Sequence, residues 1–115
     1  MVRLLIGLLL VAMAMPAVAN DPDCSGTGRW PTRSALVHLK NAGIVEKVDS
    51  KKTRTIRIAS EKIGNDLYRQ VHHIVFTEVS GTTIDVITVN DVSSEECSMS
   101  GVQVFVVSKR LGSTE

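Results

Sequence analysis

The feature of this sequence that most limits its fold is a stretch rich in β-branched and aromatic side chains, residues 67–90 (LYRQVHHIVFTEVSGTTIDVITVN). Ser80-Gly81 is the one good turn pair inside it, and glycine adopts positive φ without a steric penalty. The stretch therefore predicts a β-hairpin with a tight two-residue turn. Both arms carry apolar side chains on both faces, which is typical of central strands or of strands whose second face is covered. That cover is either a helix of this chain or a second molecule.

One helix is predicted before the hairpin. Trp30-Pro31 suits a helix start, apolar residues then recur at helical spacing, and Gly43 is a typical residue after a helix C-terminus. A helix of this length is not stable alone in water, so we expect it to pack on the sheet.

Two further strands complete the predicted elements. Residues 53–59 alternate, with Ile56 and Ile58 on one face, which indicates a half-buried strand followed by a turn over residues 60–65. Residues 101–109 predict the last strand. The expected architecture is an α+β domain in which one N-terminal helix packs on a four-stranded antiparallel meander sheet. A small all-β domain is the alternative.

The first 19 residues have the parts of a secretory signal peptide. Arg3 precedes an apolar run, and Pro16-Ala17-Val18-Ala19 is a small-residue cleavage site. The apolar run is shorter than the about 20 residues that a membrane span needs. We expect cleavage after Ala19, which leaves an exported mature protein of one domain, residues 20–115. An uncleaved N-terminal anchor is the other interpretation.

Charge argues against a nucleic-acid partner. The whole chain has 13 basic and 12 acidic residues, and removal of Arg3 with the signal peptide makes the two numbers equal. A nucleic-acid-binding domain usually carries a basic surplus.

The two cysteines, Cys24 and Cys97, are expected to form a disulfide, because an exported chain reaches an oxidising compartment. Catalysis by a free thiol is the rival interpretation, and it requires an activating histidine nearby.

The sequence offers little for catalysis or metal binding. Adjacent side chains on a strand point to opposite faces, so His72 and His73 cannot share one ion, and His38 lies on the predicted helix. One of the adjacent pair is expected to be packed and the other exposed or at an interface. No G-x-S-x-G motif occurs, and Glu95-Glu96 lack the opposed geometry of a glycosidase pair. We therefore expect no enzyme activity, no metal and no cofactor; a small hydrolase using His72 or His73 is the rival.

Binding of another protein is the remaining function, and the polar loop of residues 91–100 is the expected contact. A disulfide at Cys97 would lower the entropy that this loop loses on docking. A merely solvated loop is the other interpretation. The candidate partner-binding residues are Ser93, Ser94, Glu95, Glu96, Ser98, Met99 and Ser100 in the loop, with Arg69 and His72 on the hairpin.

The stretches SEKIGNDLYRQVHHI and EECSMSGVQVF, together with the signal peptide, the domain size and the cysteine pair, give a resemblance. The chain resembles the periplasmic immunity proteins that protect bacteria against amidase effectors of type VI secretion. The resemblance implies that the partner is a papain-like peptidoglycan amidase of the cysteine–histidine type, whose substrate cleft the immunity protein occludes, and it carries over no catalytic residue. A general lysozyme inhibitor and a structural envelope protein are alternatives, and the two-sided apolar hairpin also permits a homodimer.

Overall fold

The computed structural model describes residues 21–107, which form one α-helix and one four-stranded antiparallel sheet. The elements in chain order are α1 (Trp30–Asn41), a short 3₁₀ helix (Ser50–Lys52), β1 (Arg54–Gly64), β2 (Leu67–Thr77), β3 (Thr83–Val92) and β4 (Gln103–Val107). The strands lie side by side in the order β1-β2-β3-β4. The mixed α+β prediction is confirmed. The predicted signal peptide and the end of the last predicted strand, residues 108–109, lie outside the described residues.

Helix α1 has the expected local features but is not at the N-terminus, because the arm of residues 21–29 precedes it. Proline occupies its first turn, where the missing N–H costs nothing. Gly43 has φ +72°, and the amide of Ile44 donates to the Leu39 carbonyl at 2.9 Å. These bonds satisfy carbonyls that the end of a helix leaves unpaired. The predicted stop at Gly43 is therefore the observed one.

Strand β1 is longer than predicted, and the turn predicted at residues 60–65 is wrong. β1 runs through to Gly64, and the chain reverses at Asn65 and Asp66, where Asp66 has φ +51°. Two irregularities shift its register with β2, one between Arg57 and Ala59 and one close to Gly64. Such β-bulges break the alternation of side chains along a strand, so the sequence pattern ends before the strand does.

The β2–β3 connection contains a three-residue loop, residues 79–81, between the hydrogen-bonded residues Glu78 and Thr82. The prediction of a two-residue turn was wrong. The Glu78 amide donates to the Thr82 carbonyl at 2.8 Å, and the Gly81 amide donates to the Glu78 carbonyl at 2.8 Å. Gly81 has φ +100°. A turn followed by a glycine at positive φ is the common three-residue hairpin loop. Gly81 thus has the predicted role in a loop one residue longer.

The core lies between α1 and one face of the sheet, which we call the inner face. Its buried residues come from the helix, from the segment that follows it, and from the two central strands: Ala35, Leu39, Val45, Ile74, Phe76 and Val86. Among residues 21–107, a helix covers only this face of the sheet.

The disulfide between Cys24 and Cys97 is present, with 5.7 Å between the two Cα atoms and 73 residues of sequence separation. It fixes the N-terminal arm to the loop that joins β3 and β4. Within residues 21–107 there is no helix that is long and apolar enough to cross a membrane. The disulfide is compatible with a secreted or periplasmic protein.

Candidate protein-binding surfaces

The sheet face that is turned away from α1, which we call the outer face, carries apolar side chains from all four strands. They are Ile56, Val71, Val75, Ile87, Val89, Phe105 and Val107. One cross-strand row joins Ile56 to His73, His73 to Ile87 and Ile87 to Phe105. Ile56 is 60% exposed and Phe105 is 53% exposed. Contiguous exposed apolar patches are rare on monomeric soluble proteins and mark interaction sites.

The structure corrects the prediction of which β1 side chains are buried. The alternation of residues 53–59 indicated that Ile56 and Ile58 face the core, but both are exposed. Thr55 takes the inner position instead, where its hydroxyl lies 2.7 Å from that of Thr32 on α1. Alternation separates two faces of a strand, and it does not say which of them the helix covers.

A charged pair borders the apolar part of the outer face. At one end Arg69 Nε donates to Asp91 Oδ1 at 2.9 Å and Nη2 donates to Oδ2 at 3.3 Å. This hydrogen-bonded carboxylate raises the pKa of Arg69. Inside the face, next to Ile87 and Val75, His73 Nε2 lies 3.5 Å from Asp85 Oδ2. Protein–protein interfaces commonly combine apolar area with polar groups of this kind.

The loop of residues 93–101, which we call the stapled loop, is held by hydrogen bonds as well as by the disulfide. Asn90 Nδ2 donates to the Cys97 carbonyl at 2.8 Å, and the Asp91 amide donates to Ser100 Oγ at 2.8 Å. Ser93 Oγ accepts from the amides of Glu95 and Glu96 at 3.2 and 3.1 Å. The loop is therefore ordered before any partner arrives, which lowers the entropy lost on binding.

These bonds divide the predicted loop residues into two groups. The hydroxyls of Ser93, Ser94 and Ser100 are engaged within the protein; Ser94 Oγ, for example, donates to Asp66 Oδ2 at 2.7 Å, which ties the loop to the β1–β2 turn. Among the described residues, the exposed loop side chains that make no hydrogen bond outside the loop are Glu95, Glu96, Ser98 and Met99, with Met99 48% exposed. The loop presents two carboxylates and one flexible apolar tip to a partner.

Arg69 and His72 do not form one patch with each other. Arg69 is exposed on the outer face, where it binds Asp91. The Asp91 carbonyl in turn accepts from the Met99 amide of the stapled loop at 3.1 Å, so Asp91 links Arg69 to the loop. His72 is fully buried on the inner face. Arg69 thus joins the loop residues in one surface, and His72 is not available to a partner that contacts this surface.

His72 instead belongs to a buried polar cluster under the N-terminal arm. Cross-strand pairing places Thr88 beside His72 and Asn90 beside Gln70, and all four side chains are buried. Gln70 Nε2 donates to the Pro22 carbonyl at 2.8 Å. Neither ring nitrogen of His72 has a hydrogen-bond partner among the described residues. Burial is the main cause that lowers the pKa of His72, and the nearby Arg57 lowers it further.

In the part of the chain from residue 21 to residue 107, no three His, Cys, Asp or Glu side chains gather as metal ligands would. Comparison of the chain with protein-family models, with curated proteins and with solved structures finds no match.

Proposed function

We propose that this protein is an inhibitory binding protein that docks on another protein through the outer face and the stapled loop. The observation that carries the proposal is the apolar outer face, which all four strands build and which α1 leaves open. Burial of apolar area supplies most of the free energy of protein association. The stapled loop lies at one end of this face, beside the Arg69–Asp91 pair.

The proposed target is a periplasmic amidase effector of the cysteine–histidine type that cleaves peptidoglycan. The resemblance of two sequence stretches to type VI immunity proteins supports this target. The arrangement of the surface is consistent with occlusion, because a loop held by a disulfide and hydrogen bonds can enter a cleft while the apolar face beside it packs on the rim. The ordered backbone of the loop and the exposed tip at Met99 support the same arrangement.

An inhibition assay tests the proposal. Purified wild-type protein is added to a type VI amidase of the same organism, and the release of cleaved peptidoglycan fragments is followed; lysozyme is assayed in parallel. We expect inhibition of the amidase and none of lysozyme. Inhibition of lysozyme alone would instead support a general lysozyme inhibitor, and inhibition of neither enzyme would contradict the proposal.

Substitutions assign the contact. Phe105→Asp places a charge in the exposed outer face and Met99→Arg places one at the loop tip, and each is expected to weaken inhibition by about 2 kcal/mol or more. Ser94→Trp is a less specific probe, because it also breaks the bonds to Asp66. Lys52→Gln, on the exposed 3₁₀ helix, is the matched control and should inhibit like wild type. Unchanged inhibition by both Phe105→Asp and Met99→Arg would remove this surface from the proposal.

A homodimer is the second candidate, and the same outer face favours it. Two apolar sheet faces pack against each other about 10 Å apart in many proteins. Sedimentation over a range of concentrations separates the two candidates. A mass of two chains that Phe105→Asp reduces to one chain supports the dimer, whereas a single chain at all concentrations leaves the outer face free for a different protein.

A further inference from the structure

A second surface lies on the inner side of β4, in the groove between this strand and α1. The first part of the groove has a volume of about 760 Å³. There Trp30, Arg33 and Val37 of the helix face Gly101 and Val102, which precede β4. It continues past His38 to a second part, which is lined by Ala42, Ile44, Val104 and Val106. The groove therefore follows the full length of β4. Val37 and Ile44 are 55% and 44% exposed, so its walls present apolar surface to solvent.

The two edges of the sheet differ in a way that matters for this groove. β1 carries charged residues and two register shifts, features that protect an edge strand against pairing. β4 has the sequence QVFVV, without charge, and it pairs in regular register with β3. Among the described residues β3 is its one partner, so its other edge presents unpaired backbone groups. β4 is therefore the edge that is suited to accept a further strand.

The direction of an added strand follows from the helix. Trp30 Nε1 donates to the Ser100 carbonyl at 3.4 Å, which places the start of α1 beside the start of β4. Ile44, just after the helix, lies with Val106 near the end of β4. α1 and β4 thus run in the same direction. A strand that is added antiparallel to β4 would have its carboxyl end beside Arg33.

Charge decides what kind of strand fits. Arg33 forms no salt bridge with any of residues 21–107, and α1 contains no acidic residue. A carboxylate at the end of the added strand would give Arg33 a charge-assisted, bidentate partner. The β4 strand of a second copy has no acidic side chain to offer at this position. A β4–β4 pairing between two copies would therefore leave Arg33 without a carboxylate, whereas a peptide with an acidic end would pair with it.

We propose that the groove between α1 and β4 binds an extended peptide as a fifth, antiparallel strand, with alternate apolar side chains in the groove and a terminal carboxylate or acidic side chain on Arg33. Backbone hydrogen bonds to the strand edge supply affinity in this mode of recognition, and the side-chain positions in the groove supply specificity. This surface uses the opposite side of β4 from the outer face, and the inference does not depend on the proposed inhibition of an amidase.

The test uses fluorescein-labelled peptides of six residues, long enough to span β4, in which valine, isoleucine or phenylalanine alternates with threonine. Each ends in glutamate with a free carboxyl terminus, and a matched set ends in an amidated glutamine. Fluorescence anisotropy measures binding to the full chain. We expect the acidic peptides to bind at least about tenfold more tightly than the amidated ones.

Variants locate the site. Arg33→Gln should abolish the difference between the two peptide sets, and Val106→Lys, which charges the groove, should abolish binding. Arg54→Gln, an exposed arginine at the protected edge, is the matched control and should change neither. Circular dichroism confirms that each variant is folded. On binding, hydrogen exchange should slow at the backbone amides of β4 and stay unchanged at those of β1.

Three results would overturn the inference. One is the absence of any binding that depends on Arg33 across the peptide set. Another is protection of the β1 amides in place of those of β4. The last is a concentration-dependent dimer that Val106→Lys dissociates, which would make a second copy the occupant of the groove.

Discussion

Removal of the disulfide should strongly lower the stability of this domain. Cys24 and Cys97 close a loop with 73 residues of sequence separation. In the chain-entropy model, a cross-link of this span stabilises the folded state by about 4 kcal/mol, because it restricts the unfolded chain. Small domains have a free energy of unfolding of about 5–15 kcal/mol in total. We expect the pair Cys24→Ala and Cys97→Ala to lose a large fraction of this free energy.

The hydrogen bonds around the disulfide do not substitute for it. Pro22 accepts bonds from Gln70 at 2.8 Å and from Arg57 at 3.0 Å, and these hold the arm on the sheet in the folded protein. They have no effect on the entropy of the unfolded chain. The arm is therefore expected to keep its native contacts in the alanine variant, while the free energy of unfolding falls.

Urea unfolding followed by circular dichroism measures the effect. The double alanine variant and the wild type with dithiothreitol should show the same lowered midpoint, and the thermal midpoint should fall by roughly 15 to 30 °C. Ser98→Ala, beside Cys97, is the control, because the Ser98 hydroxyl makes only a 3.4 Å bond to Glu96. A loss below about 1 kcal/mol would refute the entropic argument.

Two further predictions concern the inner face. Burial lowers the pKa of His72 in the folded protein. As pH falls below about 6.5, the unfolded chain therefore binds a proton at His72 before the folded protein does. The free energy of unfolding should decrease there by up to about 1.4 kcal/mol per pH unit. His72→Leu should lose this part of the pH dependence in urea unfolding between pH 8 and pH 5, and an unchanged slope would contradict the assignment. Phe76→Ala should cost about 3–5 kcal/mol, since the ring is 1% exposed in the core, and a cost under 1 kcal/mol would mean that the core closes around the gap.

Features set by neighbouring residues were predictable from the sequence, as the two ends of α1 show. Proline in the first turn and Gly43 after the last act through the backbone of the residues beside them. The disulfide was also predictable, because the chain has two cysteines and its first 19 residues predict export. Each of these inferences needs no knowledge of the tertiary fold.

Features that depend on distant partners were not predictable. The bulges in β1 are visible only in its register with β2, so the strand continues through residues that resemble a turn. Ile56 faces outward because α1 covers the other side of the sheet, and alternation alone does not contain that information. The bonds of Ser93 and Ser100 within the stapled loop likewise depend on how the disulfide and Asp91 place the chain.

Strand β4 connects the two proposed binding surfaces, because its successive side chains belong to different ones. Phe105 pairs across the sheet with Ile87 on the outer face, whereas Val104 and Val106 line the groove beside α1. One strand of five residues can therefore contribute to both surfaces at once. A charge at Phe105 should weaken inhibition of the target and leave peptide binding intact. A charge at Val106 should abolish peptide binding and leave inhibition intact. If either substitution abolished both activities in a folded protein, the two surfaces would have to be one site, and the strand-addition inference would lose its independence from the inhibitory function.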